Sequence, residues 1–314
     1  MAESYLPEDI NRFQIILLLI LSVSMVSSAS ILIRFSTSNP LVIVFWRTLF
    51  GGVLMASAGL ARNDFRKSYP IVRKRWKWLL VIGVILSLHF SFWFTSLFLT
   101  TVAASVVLVN TSPIFTAILS TLVLKEALGT RSWIGVITAV IGSIILAFTD
   151  LNIIGIDALF GDILALLAGL FLALYFIGGR KYAKGLPITV YTSIIYFTAA
   201  LVTLAICVFN GVNVLVLEFS EYLIFIALAI FPTALGHSVN NYLLTLVPAY
   251  VVSSAVLGEP IGATILAAVF LGEIPSTVTF IGFGIILLGI ALVLVDIAAR
   301  TRGNKSSLDN TDRS

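Results

Sequence analysis

Glu259 stands beside Pro260 in an apolar run from about Ala249 to Leu271. A run of that length can cross a bilayer, and both residues are costly inside one. A charged side chain at a helix centre costs on the order of 2.5–3.5 kcal/mol on insertion scales. Proline removes a helical hydrogen bond and crowds the preceding turn. The pair is tolerated where it faces other protein or a wet cavity. Other polar residues interrupt apolar runs in the same way. His89 shares a helical face with Trp93, His237 shares one with Asn240 and Asn241, and Asn110 lies one turn before Pro113. His89, Trp93, Asn110, His237, Asn240, Asn241 and Glu259 are therefore candidates for one polar cluster that holds a small solute. The competing reading of each is packing, since a lone Asn or His in a membrane helix hydrogen-bonds a neighbouring helix for about 0.6 kcal/mol.

The same residue types argue against catalysis. The two histidines have no metal-ligand spacing with each other or with a cysteine, and no phosphate-binding glycine loop occurs. No catalytic residues, metal site or cofactor are expected, and ATP is not the direct energy source. Arg47 lies about two turns into its apolar run, where it must snorkel outward or find an acceptor; it is read as a structural ion pair or helix-end anchor. Pro113 and Pro260 are read as hinge or kink points. Glu126 and Glu273, at the ends of runs, are read as caps or topology features. The small-residue series Gly161, Ala165, Gly169, Ala173 and the pair Gly282, Gly289 are read as packing seams.

The elements that must position these groups are membrane helices. The chain is 59% hydrophobic and 11% charged, against roughly 45–50% and about 25% in ordinary soluble domains. Ten apolar runs are expected as spans, near residues 13–34, 41–60, 78–98, 102–124, 131–149, 160–179, 188–209, 222–244, 249–271 and 277–297. The single Cys207 falls inside one run, so no disulfide forms within the chain. Lys and Arg cluster after runs two, four and six and in the tail from Arg300, while the opposite side carries Arg34 alone. The positive-inside rule then puts both termini in the cytoplasm. The basic stretch from Arg62 to Lys77 is read as a topology anchor in a long connection.

The chain also resembles itself at an offset of roughly 147 residues. Pro40 falls on Pro187, Pro113 on Pro260, Glu126 on Glu273, Gly135 on Gly282, and Gly142 on Gly289. Five spans is an odd number, so the second half enters the membrane upside down, as in inverted-repeat proteins whose sites lie near mid-membrane between the halves. The expected fold is an all-α membrane protein of ten transmembrane helices, arranged as two inverted five-helix repeats around a central cavity. The expected division is 1–150 for the first repeat, 151–298 for the second, and 299–314 for a polar cytoplasmic tail.

The stretch AVLGEPIGATILAAVFLGE, its weaker first-half copy NTSPIFTAILSTLVLKE and Phe45-Trp46-Arg47 in the second span together resemble the drug/metabolite transporter superfamily, EamA-like branch. The resemblance covers roughly residues 13–298. It departs at one midpoint, where Ser112 precedes Pro113 but Glu259 precedes Pro260. The resemblance implies a secondary transporter of the cell membrane with a cavity lined by spans one, three, four, six, eight and nine. It implies export of a small metabolite, such as an amino acid, by alternating access, with protons as a candidate coupling ion. The rival readings are an intramembrane acid–base enzyme, for which a nucleophile is missing, and a channel or receptor. The partners are a small-molecule substrate and the lipid bilayer, with no nucleic acid; the oligomeric state is left open.

Overall fold

The computed structural model describes residues 11–100, 102–126, 128–148, 156–215, 218–271 and 277–311. Glu273 lies outside them, as do the side chains of the tail beyond Asp296. The described chain is helical, with no strand in it. Seven helices are long and apolar enough to cross a membrane, and shorter apolar helices accompany them.

Local chemistry sets the helix ends. Helix α1 (Arg12–Phe35) opens on a capping box in which Asn11 and Gln14 satisfy each other's backbone N–H groups. Helix α2 (Pro40–Ala61) opens on an Asn39 cap followed by Pro40, whose missing N–H costs nothing there. Helix α3 (Asp64–Leu99) has 36 residues, about 54 Å at 1.5 Å per residue. It absorbs the basic stretch that the sequence reads as a loop. Hydropathy reports contact with lipid, not helicity, so a charged first third of a helix is invisible to it.

Helices α4 (Val102–Val109) and α5 (Ser112–Leu119) follow, the latter running into a π-helical turn, Ser120–Leu124. Then come α6 (Thr130–Phe148), α7 (Ile156–Tyr182) and α8 (Ile188–Phe209). The run Phe219–Leu246 is one rod in three parts: α9 (Phe219–Leu228), a π-helical stretch (Ala229–His237) and α10 (Ser238–Leu246). Pro232 lacks the N–H that would meet Leu228 O, and Thr233 Oγ1 donates to that carbonyl at 2.8 Å instead. Last are α11 (Ala249–Val256), α12 (Glu259–Leu271) and α13 (Thr277–Thr311). Helix α13 continues past the expected end of the last span into the tail.

Helix α2 packs on α8, α3 on α7 and α8, α1 on the π-helical stretch and α12, α5 on α11, and α6 on α13. The α6–α13 crossing rests on glycine. A Cβ at Gly289 would stand 2.5 Å from Ala139 N and from Gly135 O, and one at Gly142 would stand 2.9 Å from Gly282 O. Backbone cannot yield as a side-chain tip can, so Gly289→Ala should force the helices apart. The expected cost is roughly 1–3 kcal/mol, read as a drop of several degrees in melting temperature. Gly284→Ala is the control: nothing lies within 4 Å of its Cβ position, so helix propensity alone should make it neutral or stabilising. Equal effects from the two substitutions would remove the crossing from the account.

Candidate functional site

Two rods are broken at their middles. Between α4 and α5 the helix tightens at Asn110 and Thr111, where Thr111 N donates to Leu108 O and Ile114 N to Thr111 O. Between α11 and α12 it tightens at Leu257 and Gly258, where Leu257 N donates to Ser254 O and Gly258 N to Ala255 O. Pro113 and Pro260 sit in the first turns of the second segments. There they start helices rather than kink them, because a first-turn N–H has no helical partner to lose. Glu259 is the first residue of α12, so its carboxylate stands at the positive end of that helix.

A cavity lies between these breaks. Of the seven candidates, His89, Trp93, Asn110, His237, Asn240 and Glu259 line it. Apolar side chains including Val26, Leu172 and Phe176 complete the wall. His89 is oriented by a 2.9 Å contact of Nδ1 with Ala168 O, and its ring stacks on Trp93 at 6.1 Å and meets His237 at 6.4 Å. Asn110 turns its amide nitrogen back to Val106 O at 2.7 Å. Trp93 Nε1, His237 Nδ1 and Asn240 Oδ1 are buried with no hydrogen-bond partner. The wall therefore offers an unused donor, an unused acceptor and a ring nitrogen that serves as either according to its tautomer, which is what a polar solute needs. The space is small, about 20 Å³ counted as room for water centres, where one water needs roughly 10–15 Å³. A metabolite fits only if the helices part.

Asn241 does not line the cavity. Successive helical residues point about 100° apart, and here Asn240 faces the cavity while Asn241 faces Tyr175. Asn241 Nδ2 instead donates to Tyr175 Oη at 2.5 Å. Nearby, Tyr196 Oη donates to Thr233 O at 3.1 Å and meets Ser238 Oγ at 3.0 Å. This tyrosine group escapes a reading that looks for charge, because tyrosine in a membrane run passes as an apolar ring.

Arg47 is neither snorkelled nor paired. It is fully buried, Nε donates to Thr233 Oγ1 at 3.0 Å, and among the described residues no carboxylate oxygen comes within 4.0 Å of it. Nη1 and Nη2 have no hydrogen-bond partner. The guanidinium lies over Phe90 at 4.1 Å and Phe94 at 5.3 Å. A desolvated cation over an aromatic face gains about 2 kcal/mol, whereas removing an ion from water costs several. Two rings and one hydroxyl leave that difference uncovered.

Both ends of the bundle are tied. At one end Glu221, near the start of α9, receives Ser36 Oγ, Thr37 N at 2.8 Å, Thr37 Oγ1 at 3.0 Å and Ser38 Oγ at 2.8 Å. One carboxylate thus holds the whole α1–α2 turn. At the far end of the same rod Arg180 pairs with Glu126 at 2.6 Å and donates to Leu244 O at 3.1 Å. Glu126 also accepts from Ala249 N, the first residue of α11. From Glu221 to Leu244 is about 35 Å of helix. Nothing local in the sequence links these partners, which lie far apart in the chain. Among the described residues no group of three His, Cys, Asp or Glu side chains is placed to hold a metal ion.

A family model for the EamA-like transporter family matches residues 13–148 and 159–295. The uncharacterized transporter YwfM of Bacillus subtilis (strain 168) is 26% identical over 82% of this chain and 85% of its own. The uncharacterized transporter YdfC of the same organism is 26% identical over 60% of this chain, and the match spans about three fifths (61%) of YdfC. A solved protein crystal structure shares the fold, with a TM-score of 0.76 at 20% identity over 90% of this chain and 98% of that one.

Proposed function

The chain belongs to the EamA-like transporter family, and from that membership we propose a secondary carrier that exports a small metabolite, an amino acid or a related amphiphilic solute, across the cytoplasmic membrane by alternating access. The observation that carries the proposal is the cavity between two broken rods, apolar over most of its wall but holding His89, Asn110, His237, Asn240 and Glu259, with a tie at either end. His89, Trp93, Asn110, His237, Asn240 and Glu259 are the proposed solute contacts. Asn241 acts behind them through Tyr175, and Pro113 and Pro260 set the hinges. The Glu221 tie closes the outer end and the Glu126–Arg180 tie the inner end. Releasing one while keeping the other would admit solute from one side at a time. Protons are the proposed coupling ion, with Glu259 or a histidine as carrier.

Ten spans in two inverted halves, 1–150 and 151–298, with the tail and both termini cytoplasmic, complete the reading. Packing symmetry supports it. The contact of α3 with α7 has its counterpart in that of α1 with the π-helical stretch, and the α5–α7 contact has its counterpart in α1–α12. The contacts α2–α8 and α6–α13 map onto themselves. The glycine contacts repeat this: Gly135 meets Gly289 as Gly282 meets Gly142.

The test begins with a thermal-shift screen of the purified protein against metabolites. A ligand raises stability by RT ln(1 + [L]/Kd), so weak binders register at high concentration. Hits then go to sealed liposomes. Saturable counterflow of a hit is the expected result. A flux that never saturates, or binding without flux in sealed vesicles, would make the protein a channel or a receptor instead.

A further inference from the structure

Arg47 is the group that the cavity alone leaves unexplained. Its two terminal nitrogens are buried and bare, its one hydrogen bond is through Nε, and its flat face rests on Phe90. The hydrogen-bonding edge is therefore free while the stacking face is used. Phe90 meets His237 edge-on at 5.1 Å, and His237 lines the cavity. The cation is thus one ring behind the cavity wall. Glu259, His89 and His237 all lie within electrostatic reach of it, and Glu259 is the carboxylate among them. A guanidinium presents paired N–H donors in the fork that matches a carboxylate. Fixed cation and fixed carboxylate flank a chamber that must widen before a metabolite fits.

We infer that Arg47 is the anion-recognition residue of this carrier: when the chamber opens past Phe90 and His237, Nη1 and Nη2 receive a carboxylate of the cargo. The cargo class is then small solutes that carry a carboxylate, with Glu259 left to face any cationic group on the same molecule. The inference rests on the carrier reading for its cargo but not for its chemistry. The Phe90–His237 pair becomes a partition that the anion displaces, and the affinity for the anion includes the work of moving it.

The test uses the full-length protein in detergent with benzoate and benzamide as probes, at constant ionic strength. Benzoate should raise the melting temperature of the wild type and benzamide should not. Arg47→Gln should weaken benzoate binding at least about tenfold, the value of a charge-assisted hydrogen bond. Arg47→Lys keeps the charge without the fork and should fall between. Gly284→Ala, whose Cβ would meet nothing within 4 Å, should keep the preference for benzoate. A merely structural arginine would lower the melting temperature on substitution yet leave benzoate and benzamide indistinguishable in the wild type, and that result overturns the inference. So does an equal benzoate response in wild type and Arg47→Gln. If Arg47→Gln does not fold, the wild-type comparison and Arg47→Lys still decide. Benzoate recognition without any flux in liposomes would sink the carrier reading and leave the anion site standing. Saturable flux with no preference for carboxylates would do the reverse.

Discussion

Glu221→Ala is expected to destabilise the protein by about 2–4 kcal/mol and to open one end of the cavity. The carboxylate accepts from Ser36 Oγ, Thr37 N, Thr37 Oγ1 and Ser38 Oγ, and a hydrogen bond to a charged group contributes about 1.5–3 kcal/mol net. The sum is not realised in full, because the freed turn lies at an end of the rod where water can reach its hydroxyls. What water cannot restore is the tether between the α1–α2 turn and α9. Val26 lines the cavity, so Val26→Cys in a Cys207→Ser background reports access to it. Labelling by a membrane-impermeant thiol reagent should accelerate at least about tenfold in Glu221→Ala, for a lost constraint of 1.4 kcal/mol or more. Glu126→Gln, which weakens the pair with Arg180, should raise labelling from the opposite face of oriented vesicles. Unchanged labelling in both variants would mean that these ties hold the fold but do not gate it.

The apolar runs were legible because a bilayer demands some 20 apolar residues per crossing, and the breaks were legible because Pro113 and Pro260 are expensive within such a run. Five residues of the cavity wall were legible for the same reason, since a His, Asn or Glu there must meet something polar, and Trp93 was legible because it shares a helical face with His89. What the sequence hides is set by tertiary contact. The π-helical stretch Ala229–His237 depends on Thr233 taking over a carbonyl that Pro232 cannot reach. Periodicity puts Asn240 and Asn241 on one broad face, and only the position of Tyr175 separates them. For Arg47 the expected alternatives were an ion pair or an anchor. Its aromatic seat is made by Phe90 and Phe94 on α3, which no pattern local to α2 can announce. The Glu221 tie joins residues 183 to 185 positions apart, so it too waits for the fold.

Glu259→Gln is expected to cut transport roughly ten- to hundredfold while leaving the protein as stable as before, or more so. Gln fills nearly the same volume, and the backbone contact from Ser27 Oγ to the residue 259 carbonyl at 3.2 Å is untouched. The side chain is 8% exposed and lines a cavity walled largely by apolar groups. Holding a carboxylate there costs more than holding an amide, and neutral replacements of buried ions are often neutral or stabilising. Its position at the start of α12 returns part of that cost through the helix dipole, but only about 0.3–1 kcal/mol. A costly group that the fold does not require is kept for what it binds. One charged hydrogen bond to solute or proton carrier is worth about 1.5–3 kcal/mol, which sets the expected range of the flux loss. Counterflow in liposomes and melting temperature, measured on the same preparation, separate the two roles. If Glu259→Gln melts several degrees lower and still transports at the wild-type rate, the carboxylate is structural and the site must be sought elsewhere in the cavity. If transport falls and a pH gradient no longer drives what remains, Glu259 carries the coupling proton; if the gradient still drives it, the proton does not travel on Glu259, and the same measurement on His89→Gln and His237→Gln tests the two histidines.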